Sequence, residues 1–303
     1  MENFALVSSP MQPHLLNLLD NCHSSLLIAS PYIKKPAVDW LMETKRPTLT
    51  QVSVLTNISL DNVLSKSLDT AALRLILDKF PTASIVSLPY LHAKVFVADK
   101  DTALVTSANF TNGGLWKNYE YGVVIKGEEA VRTILDDISA YMNLGGVVSR
   151  EFLDLVDGRL AELTQNMTQI EANPATESLR KKVQKSQLAL QDILLANRVR
   201  KGQSINALFS DTILLILRKH AGGLTTEQIH VEVQSIHPDI CDDSIDRVIQ
   251  GQHYGKRWKH YVRRAQESLK EKGIIVRTDG RWSLGNASQL HSIEYASENL
   301  FEN

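Results

Sequence analysis

The stretch that decides the fold runs over residues 91–125 and reads LHAKVFVADKDTALVTSANFTNGGLWKNYEYGVVI. Short runs of apolar and β-branched residues in and around it predict neighbouring buried strands at KVFVA (94–98), ALVTSA (103–108) and YGVVIK (121–126). Polar residues stand two positions apart on each of the first two predicted strands, His92 with Lys94 on one and Ser107 with Asn109 on the other. Because alternate residues of a strand share a face, we expect these four polar groups to converge where a core would hold aliphatic side chains.

The same alternation of strand and helix patterns extends over the first 145 residues. Further strands are predicted at SSLLIAS (24–30), QVSVLTN (51–57) and ASIVSL (83–88). Helices are predicted at PAVDWLMETK (36–45), LSKSLDTAALRLILDKF (64–80) and EEAVRTILDDISAYM (128–142). This order predicts an α/β fold, with a buried mixed sheet flanked by helices.

Composition limits the class of protein. The chain has 303 residues, 43% hydrophobic and 22% charged, with a formal net charge of −1, which is typical of a globular protein of about two domains. No run of 18 apolar residues and no secretory leader is recognisable, so we expect a cytoplasmic protein that does not span a membrane. Cys22 and Cys241 lie far apart and form no disulfide or zinc-binding pattern.

Three segments follow from these patterns: a catalytic domain over 1–147, a helical connector over 148–203 and a third domain over 204–303. The connector has apolar residues at alternating spacings of three and four, namely Leu153, Val156, Leu160, Leu163, Met167 and Ile170. Asn173-Pro174 ends this helix, and a second helix is predicted from Glu177 to about Arg200. Two and a half heptads are short for a coiled coil, so packing on the chain's own first domain is favoured over pairing with another subunit.

The last hundred residues predict a small helical domain with a β-hairpin. Helices are predicted at 208–220, 225–236, 242–250 and 256–272, the second capped by Thr225 and the fourth ended by Gly273. IIVRTDGRWSL (274–284) then predicts two strands around an Asp-Gly turn. Helices followed by such a hairpin predict a winged helix-turn-helix domain.

Charge distribution in this domain indicates a nucleic-acid partner. Residues 247–281 hold ten Lys and Arg residues against three acidic ones, a local charge of +7. On the fourth helix one face is apolar and carries Trp258, while the opposite face carries Lys256, His260, Arg263, Arg264 and Glu267. We expect this polar face to contact double-stranded DNA, with Arg277 and Arg281 of the hairpin as backbone contacts. The alternatives are a solvated helix face or a domain that mediates protein contacts.

The polar residues of 91–125 also form a recognisable motif. His92, Lys94, Asp99, Ser107 and Asn109 follow the pattern H-x-K-x4-D-x6-T-S-x-N. This pattern resembles the signature of the phospholipase D superfamily. The one difference is Thr106, where the superfamily signature has glycine. The trailing Asn118 and Glu120 (N-x-E) resemble the superfamily's nuclease branch.

Each of these residues has a chemical role that fits phosphodiester cleavage. Lys94 supplies a positive charge, and Ser107 and Asn109 supply hydrogen-bond donors, for the oxygens of a phosphate. His92 can attack phosphorus and shuttle a proton near neutral pH. Glu120 is expected to orient the imidazole by accepting its second N–H, and Asp99 to hold a loop.

The resemblance also implies partners and cofactors. The superfamily's active site uses two histidines, a nucleophile and a general acid, whereas this chain has one copy of the motif. Similarity to the single-motif nucleases therefore implies a homodimer that shares one catalytic centre. It implies no metal and no other cofactor, because lysine and histidine do the work of Mg²⁺.

Motif and C-terminal domain together predict a metal-independent DNA endonuclease of the restriction type. The combination resembles restriction endonucleases that carry a phospholipase D-type catalytic domain. A methylated DNA site is one of the targets that this resemblance allows. A phospholipid phosphodiesterase is the first alternative, although a membrane segment and a second motif are not recognisable. A DNA-binding regulator with an inactive catalytic domain is the other, but it would be expected to carry a damaged motif.

Overall fold

Two units make up the chain, Met1–Lys201 and Gly202–Asn303. The computed structural model describes residues 4–44, 48–172, 177–199, 204–249 and 252–285. None of the helices described in these ranges is long and apolar enough to cross a membrane.

The first unit is built on one eight-stranded sheet in the order β1-β7-β6-β5-β2-β3-β4-β8. Along the chain its elements are β1 Phe4–Ser8, α1 Gln12–Asp20, β2 Ser25–Ala29, α2 Lys35–Glu43, β3 Gln51–Thr56, α3 Leu60–Leu64, α4 Thr70–Lys79, β4 Ser84–Ser87, β5 Val95–Ala98, β6 Thr102–Thr106, β7 Tyr121–Lys126, α5 Glu128–Leu144 and β8 Gly146–Val147. Strands β2, β3 and β4 pair in parallel, and the other pairs are antiparallel. The predicted α/β fold with a mixed sheet is therefore confirmed. The short or edge elements β1, α1, α3 and β8 were not predicted.

The core of this unit lies between the sheet and the helices that pack on it. The strands contribute Ile28, Val54, Ile85, Phe96 and Leu104, which are all almost fully buried. The amphipathic helices α1, α2 and α4 add buried leucine, isoleucine and valine residues to the same cluster. Burial of this apolar area is what holds the strand ends in fixed positions relative to one another.

The predicted connector forms two helices, α6 Arg150–Ala172 and α7 Glu177–Val199, that pack on the first unit. Leu153, Val156 and Leu163 are fully buried and belong to the same core as the sheet. Arg74 of α4 also forms ion pairs of 2.8 Å with Asp154 and of 2.8 Å with Asp157. Packing on the chain's own first domain is therefore confirmed for this segment. Met167 is exposed, and the side chain of Ile170 lies outside the described residues.

The second unit contains three helices and two small sheets in its described part. Its elements are α8 Ile205–Lys219, β9 Leu224–Thr225, α9 Thr226–Ile236, β10 Asp246–Ile249, β11 Gln252–Lys256, α10 Arg257–Glu271, β12 Ile275–Thr278 and β13 Arg281–Leu284. Strands β12, β13 and β9 form one sheet, and β10 and β11 the other. The capping box of Thr225 with Gln228 is as predicted. The turn at Asp279-Gly280 is also as predicted, and both of these turn residues have positive φ.

One predicted helix is wrong. Residues 242–250 were predicted to be helical, but Asp246–Ile249 is a strand that pairs with Gln252–Lys256. One local feature opposes a helix at its start: Asp242 accepts the Ser244 N–H at 2.7 Å in a turn. The β-branched pair Val248-Ile249 favours a strand.

The core of the second unit confirms the apolar face predicted on α10. Trp258, Val262, Ala265 and Leu269 are buried together with residues of α8, α9 and the terminal hairpin. The polar face of α10 is therefore turned away from this core. Whether the unit acts as a winged helix stays a prediction.

Candidate active site

The motif residues gather at one edge of the large sheet. His92 and Lys94 come directly before β5, Ser107 and Asn109 directly after β6, and Glu120 directly before β7. Because β5, β6 and β7 are antiparallel neighbours, these three strand ends meet at the same edge. The four polar residues were predicted to lie on strands, whereas they lie just beyond the strand ends.

Lys94 is the buried cation of the site. The residue is only 7% exposed, and Nζ donates to the His92 carbonyl oxygen at 2.8 Å. The same Nζ lies 3.2 Å from His92 Nδ1 and 3.1 Å from Nε2, so it favours neither tautomer of the ring. Burial lowers the pKa of Lys94, and the negative charge of Glu120 partly offsets this effect. The His92 ring itself is exposed to solvent.

Glu120 is held by hydrogen bonds from two neighbouring side chains. Ser107 Oγ donates to Glu120 Oε2 in a short hydrogen bond, and Asn118 Nδ2 donates to Oε1 at 3.1 Å. Ser107 Oγ also accepts the Tyr121 N–H at 3.1 Å. These partners differ from the contact between Glu120 and the His92 ring that was expected from the sequence. In the described part of the chain, the carboxylate positions Ser107 beside the site.

Asn109 presents an amide without an internal partner. Its Oδ1 is buried and accepts no hydrogen bond from any described residue. The backbone around it is fixed, because Ser30 Oγ accepts the Phe110 N–H at 3.0 Å and Asn109 O accepts the Thr111 N–H at 2.8 Å. A buried polar group left unpaired costs free energy, so internal hydrogen bonds do not explain the position of this side chain.

Gly114 allows a π-helical turn, Gly113–Lys117, to pack directly on Asn109. A Cβ at Gly114 would lie 2.3 Å from Asn109 O and 2.7 Å from Asn109 N, which is too close for either atom to remain in place. We expect Gly114→Ala to displace Asn109 and to lower kcat/KM for phosphodiester cleavage by about 100-fold.

The matched control is Gly113→Ala, whose Cβ would meet only the Asn118 side chain at 3.4 Å. Thermal unfolding should show a modest loss of stability for Gly114→Ala, of about 1–3 kcal/mol. Equal kcat/KM values for the two variants at a temperature where both are folded would contradict this role of Gly114.

Asp99 lies at the other end of β5 and does not join the cluster. It has a φ of 50° and accepts the N–H groups of His23, Ser24 and Ser25 at 2.7, 2.9 and 2.9 Å. Ser24 Oγ donates to it as well, at 2.9 Å. Burial raises the pKa of Asp99, but the hydrogen bonds outweigh burial and the pKa is lowered. These contacts agree with the predicted role of holding a loop, here the loop that leads into β2.

Thr106, at the position where the phospholipase D signature has glycine, forms two hydrogen bonds with the backbone around it. Its Oγ1 donates to Tyr121 O at 3.1 Å and accepts the Ala108 N–H at 3.1 Å. Gly122 stands opposite Thr106 on β7, and a Cβ there would lie 2.9 Å from Thr106 Cβ. The threonine side chain therefore occupies space that Gly122 leaves free. A glycine inside the YGVVIK run was the sequence signal for such a close approach.

Ser9 supports the site and had no sequence signal. Its Oγ donates to Asn118 O at 2.7 Å and accepts the Glu120 N–H in a short hydrogen bond. These contacts join residues more than a hundred positions apart and fix the backbone on both sides of Tyr119.

Among the described residues, no group of three or more His, Cys, Asp and Glu side chains is placed to hold a metal ion.

The seven residues predicted to contact DNA occupy different environments in the second unit. Lys256 pairs with Asp246 at 2.8 Å, Glu267 lies 3.8 Å from Lys270, and Arg281 Nη1 donates to Gly223 O at 3.0 Å. His260 is bonded to its neighbours, and Arg277 lies over the Trp282 ring, 5.3 Å from its centroid.

Arg263 and Arg264 are both exposed on α10. Within the described ranges neither side chain forms a hydrogen bond or an ion pair. These two arginines are therefore the groups of the predicted set that are free to bind an external anion.

Comparison with known proteins finds a family match within the first unit. Residues 15–142 match the model of the family described as "Cardiolipin synthase, PLD-like domain". The solved structure of Nuc, a phospholipase D family member from Salmonella typhimurium, is similar, with 21% identity, 48% of this chain and 97% of that chain covered, and a TM-score of 0.41. NucT from Helicobacter pylori shows 18% identity over 44% of this chain and 91% of that chain, with a TM-score of 0.34.

A third solved structure is similar over a longer range. Phosphatidylserine synthase from Haemophilus influenzae Rd KW20 shows 12% identity over 99% of this chain and 86% of that chain, with a TM-score of 0.40. No curated protein sequence matches this chain.

Proposed function

We propose that this chain, whose residues 15–142 form a phospholipase D-like domain, is a DNA endonuclease that cleaves phosphodiester bonds through a covalent phosphohistidine at His92. The domain confirms the superfamily predicted from the motif. The observation that supports the chemistry best is the buried Lys94 ammonium within hydrogen-bonding distance of the exposed His92 ring. Ser107 and Asn109 stand at the same sheet edge.

The reaction proceeds in two displacements. In the first, a neutral nitrogen of His92 attacks phosphorus, a P–N bond forms and the bond to the leaving ester oxygen breaks. A second histidine protonates that oxygen as it leaves. In the second displacement this histidine takes a proton from water, the resulting oxygen attacks phosphorus, and the P–N bond breaks. Lys94, Ser107 and Asn109 stabilise the charge on the other phosphate oxygens in both steps.

The second histidine comes from another copy of the chain. Because only one motif is present, we propose a homodimer with one shared catalytic centre at a two-fold axis. Light scattering at assay concentration should give twice the 33.9 kDa mass of the chain, and specific activity should fall on dilution as the dimer dissociates. A dimer with one centre should nick one DNA strand before the other. A fully active monomer would contradict this proposal.

In this proposal the second unit binds DNA and selects the site of cleavage. Arg263 and Arg264 are the exposed cations of α10, and the order of helices and terminal hairpin agrees with a winged helix. We propose cleavage of the restriction type, at sites that this unit selects, a methylated base being one option. The family description "cardiolipin synthase" supports a second candidate, a phospholipid phosphodiesterase.

One experiment separates the candidate functions. Purified protein is incubated in EDTA with plasmid DNA and, in parallel, with phosphatidylcholine and cardiolipin vesicles. The proposal predicts DNA cleavage without a divalent metal and no lipid hydrolysis. Lipid hydrolysis without DNA cleavage would support the second candidate, and DNA binding without cleavage would indicate a regulator with an inactive catalytic domain. DNA cleavage that stops in EDTA would contradict the metal-independent mechanism.

The lowered pKa of Lys94 predicts an alkaline limit to the reaction. The protonated ammonium is the active form, so activity is lost as the pH rises through the Lys94 pKa, which burial places below that of an exposed lysine. We expect kcat/KM to fall at a lower pH than ordinary lysine ionisation would give. In Lys94→Arg the limit should move to higher pH at reduced activity, because guanidinium keeps its charge. A chromogenic phosphodiester gives the profile, and identical alkaline limits for the two proteins would contradict this role of Lys94.

A further inference from the structure

The hairpin β10–β11 is fastened to the beginning of α10 by polar contacts. Asp246 accepts from Lys256 at 2.8 Å and lies 3.2 Å from His253 Nδ1, which ties the two strands together. The Arg257 N–H donates to Ile245 O at 3.0 Å and closes the base of the hairpin. A two-stranded hairpin is only marginally stable by itself, so these contacts are what give it a fixed direction.

His260 joins the hairpin to the helix. Its Nε2 lies 2.6 Å from Tyr254 O, and because a carbonyl oxygen only accepts, Nε2 must carry the proton. Nδ1 is then free to accept from Arg247 Nη1, which lies at 3.1 Å. His260 therefore holds both strands of the hairpin as a neutral ring, and this use leaves neither nitrogen free for a base contact.

The hairpin continues the arginine face of α10. His260, Arg263 and Arg264 stand at i, i+3 and i+4, so they lie on one face of the helix. Arg247 and Tyr254 contact His260 and therefore extend that face onto the hairpin. Tyr254 is 47% exposed, and its hydroxyl donates to Gln252 Oε1 at 3.2 Å, which places the two side chains together on the outer side of β11.

We propose that β10–β11 is a second DNA-contacting element, in which Arg247 binds a backbone phosphate and Tyr254 contacts the neighbouring sugar or base. The proposal rests on the proposed function, and His260 enters it as a positioning residue rather than as a DNA contact. A two-stranded ribbon is narrow enough to enter the major groove of B-DNA. Guanidinium, phenol and amide groups are typical donors to phosphates and base edges.

The test is a fluorescence anisotropy titration of full-length protein with a labelled duplex of mixed sequence, repeated at several salt concentrations. Arg247→Ala should weaken binding about tenfold and lower the salt slope by about one, as expected for the loss of one phosphate contact. Tyr254→Ala should weaken binding without changing the slope, since it removes no charge. Arg218→Ala is the matched control, because it removes an exposed cation at the end of α8 and should leave affinity and slope unchanged.

His260→Ala distinguishes positioning from simple structural support. It removes a neutral ring, yet it should lower the salt slope as Arg247→Ala does, because Arg247 loses the group that holds it. In the double variant His260→Ala/Arg247→Ala the slope should fall no further. Circular dichroism confirms that each variant is folded before its binding is compared.

The outcomes separate this proposal from the proposed function. If reversing Arg263 and Arg264 abolishes binding while the Arg247, Tyr254 and His260 variants bind like the wild type, the hairpin is not a contact and DNA targeting stands. If the wild-type protein shows no salt-dependent affinity for the duplex, DNA targeting fails and the hairpin proposal fails with it.

Discussion

His92→Ala should abolish phosphodiester cleavage, with kcat lowered by at least about 10⁴-fold, while the protein stays folded and binds DNA as before. The size of the effect follows from the role of the ring: without it no P–N bond can form, and the neighbouring groups are left with no intermediate to stabilise. Stability should not change because the ring is exposed and contributes nothing to the core.

His23→Ala is the matched control for this variant. His23 is also exposed, but it lies at the opposite edge of the sheet beside Asp99, where only its backbone N–H is used. Cleavage of plasmid in EDTA is compared for the two variants and the wild type. Mass spectrometry of the wild-type protein quenched during turnover should show a nucleotide adduct on the peptide that contains His92. Undiminished cleavage by His92→Ala would refute the mechanism.

Reversal of the two free arginines, Arg263→Glu with Arg264→Glu, should weaken duplex binding on the order of 1000-fold. Two favourable contacts with phosphates or guanines become two repulsions, and these changes are worth several kcal/mol. The fold should be unaffected because both side chains are exposed and the core of the unit is formed by the opposite face of α10. Cleavage by His92 should survive on DNA supplied at high concentration, but its site preference should be lost.

The control for this reversal is a double variant with the same change in net charge at positions outside α10. Arg218→Glu with Lys126→Glu reverses two exposed cations, at the end of α8 and at the end of β7, that lie outside α10. Affinity is measured by anisotropy titration, and cleavage positions are read by sequencing the products. An unchanged pattern of cleavage positions in the α10 double variant would show that this unit does not select the DNA site.

Spacing within a short stretch made the position of the candidate site residues predictable. His92, Lys94, Ser107 and Asn109 stand next to apolar runs that form strands through local preference and burial, so their approximate positions follow from the chain itself. The buried face of α10 was predictable for the same reason, since Trp258, Val262 and Leu269 follow the period of a helix.

Prediction from local sequence patterns failed where a segment pairs with a neighbouring strand. Residues 242–250 were predicted to be helical, but Asp246–Ile249 pairs with Gln252–Lys256, which forms a cross-strand ion pair between Asp246 and Lys256 and supplies backbone hydrogen bonds between strands. The same strand pair gives His260 partners that were not predicted. Its position on the polar face of a helix predicted a DNA contact, whereas the hairpin that the sequence did not reveal uses both of its ring nitrogens.

The sequence by itself determined the α/β class, the superfamily motif and the polarity of α10, because these depend on residues a few positions apart. Tertiary structure alone decided that Glu120 bonds to Ser107 and Asn118, that Ser9 fixes the backbone on both sides of Tyr119, and that Gly114 makes room for Asn109. The reason is physical: a side chain's partner is set by which strand ends the sheet brings together, and contacts between residues as distant as Ser9 and Glu120 leave no periodic trace in the chain.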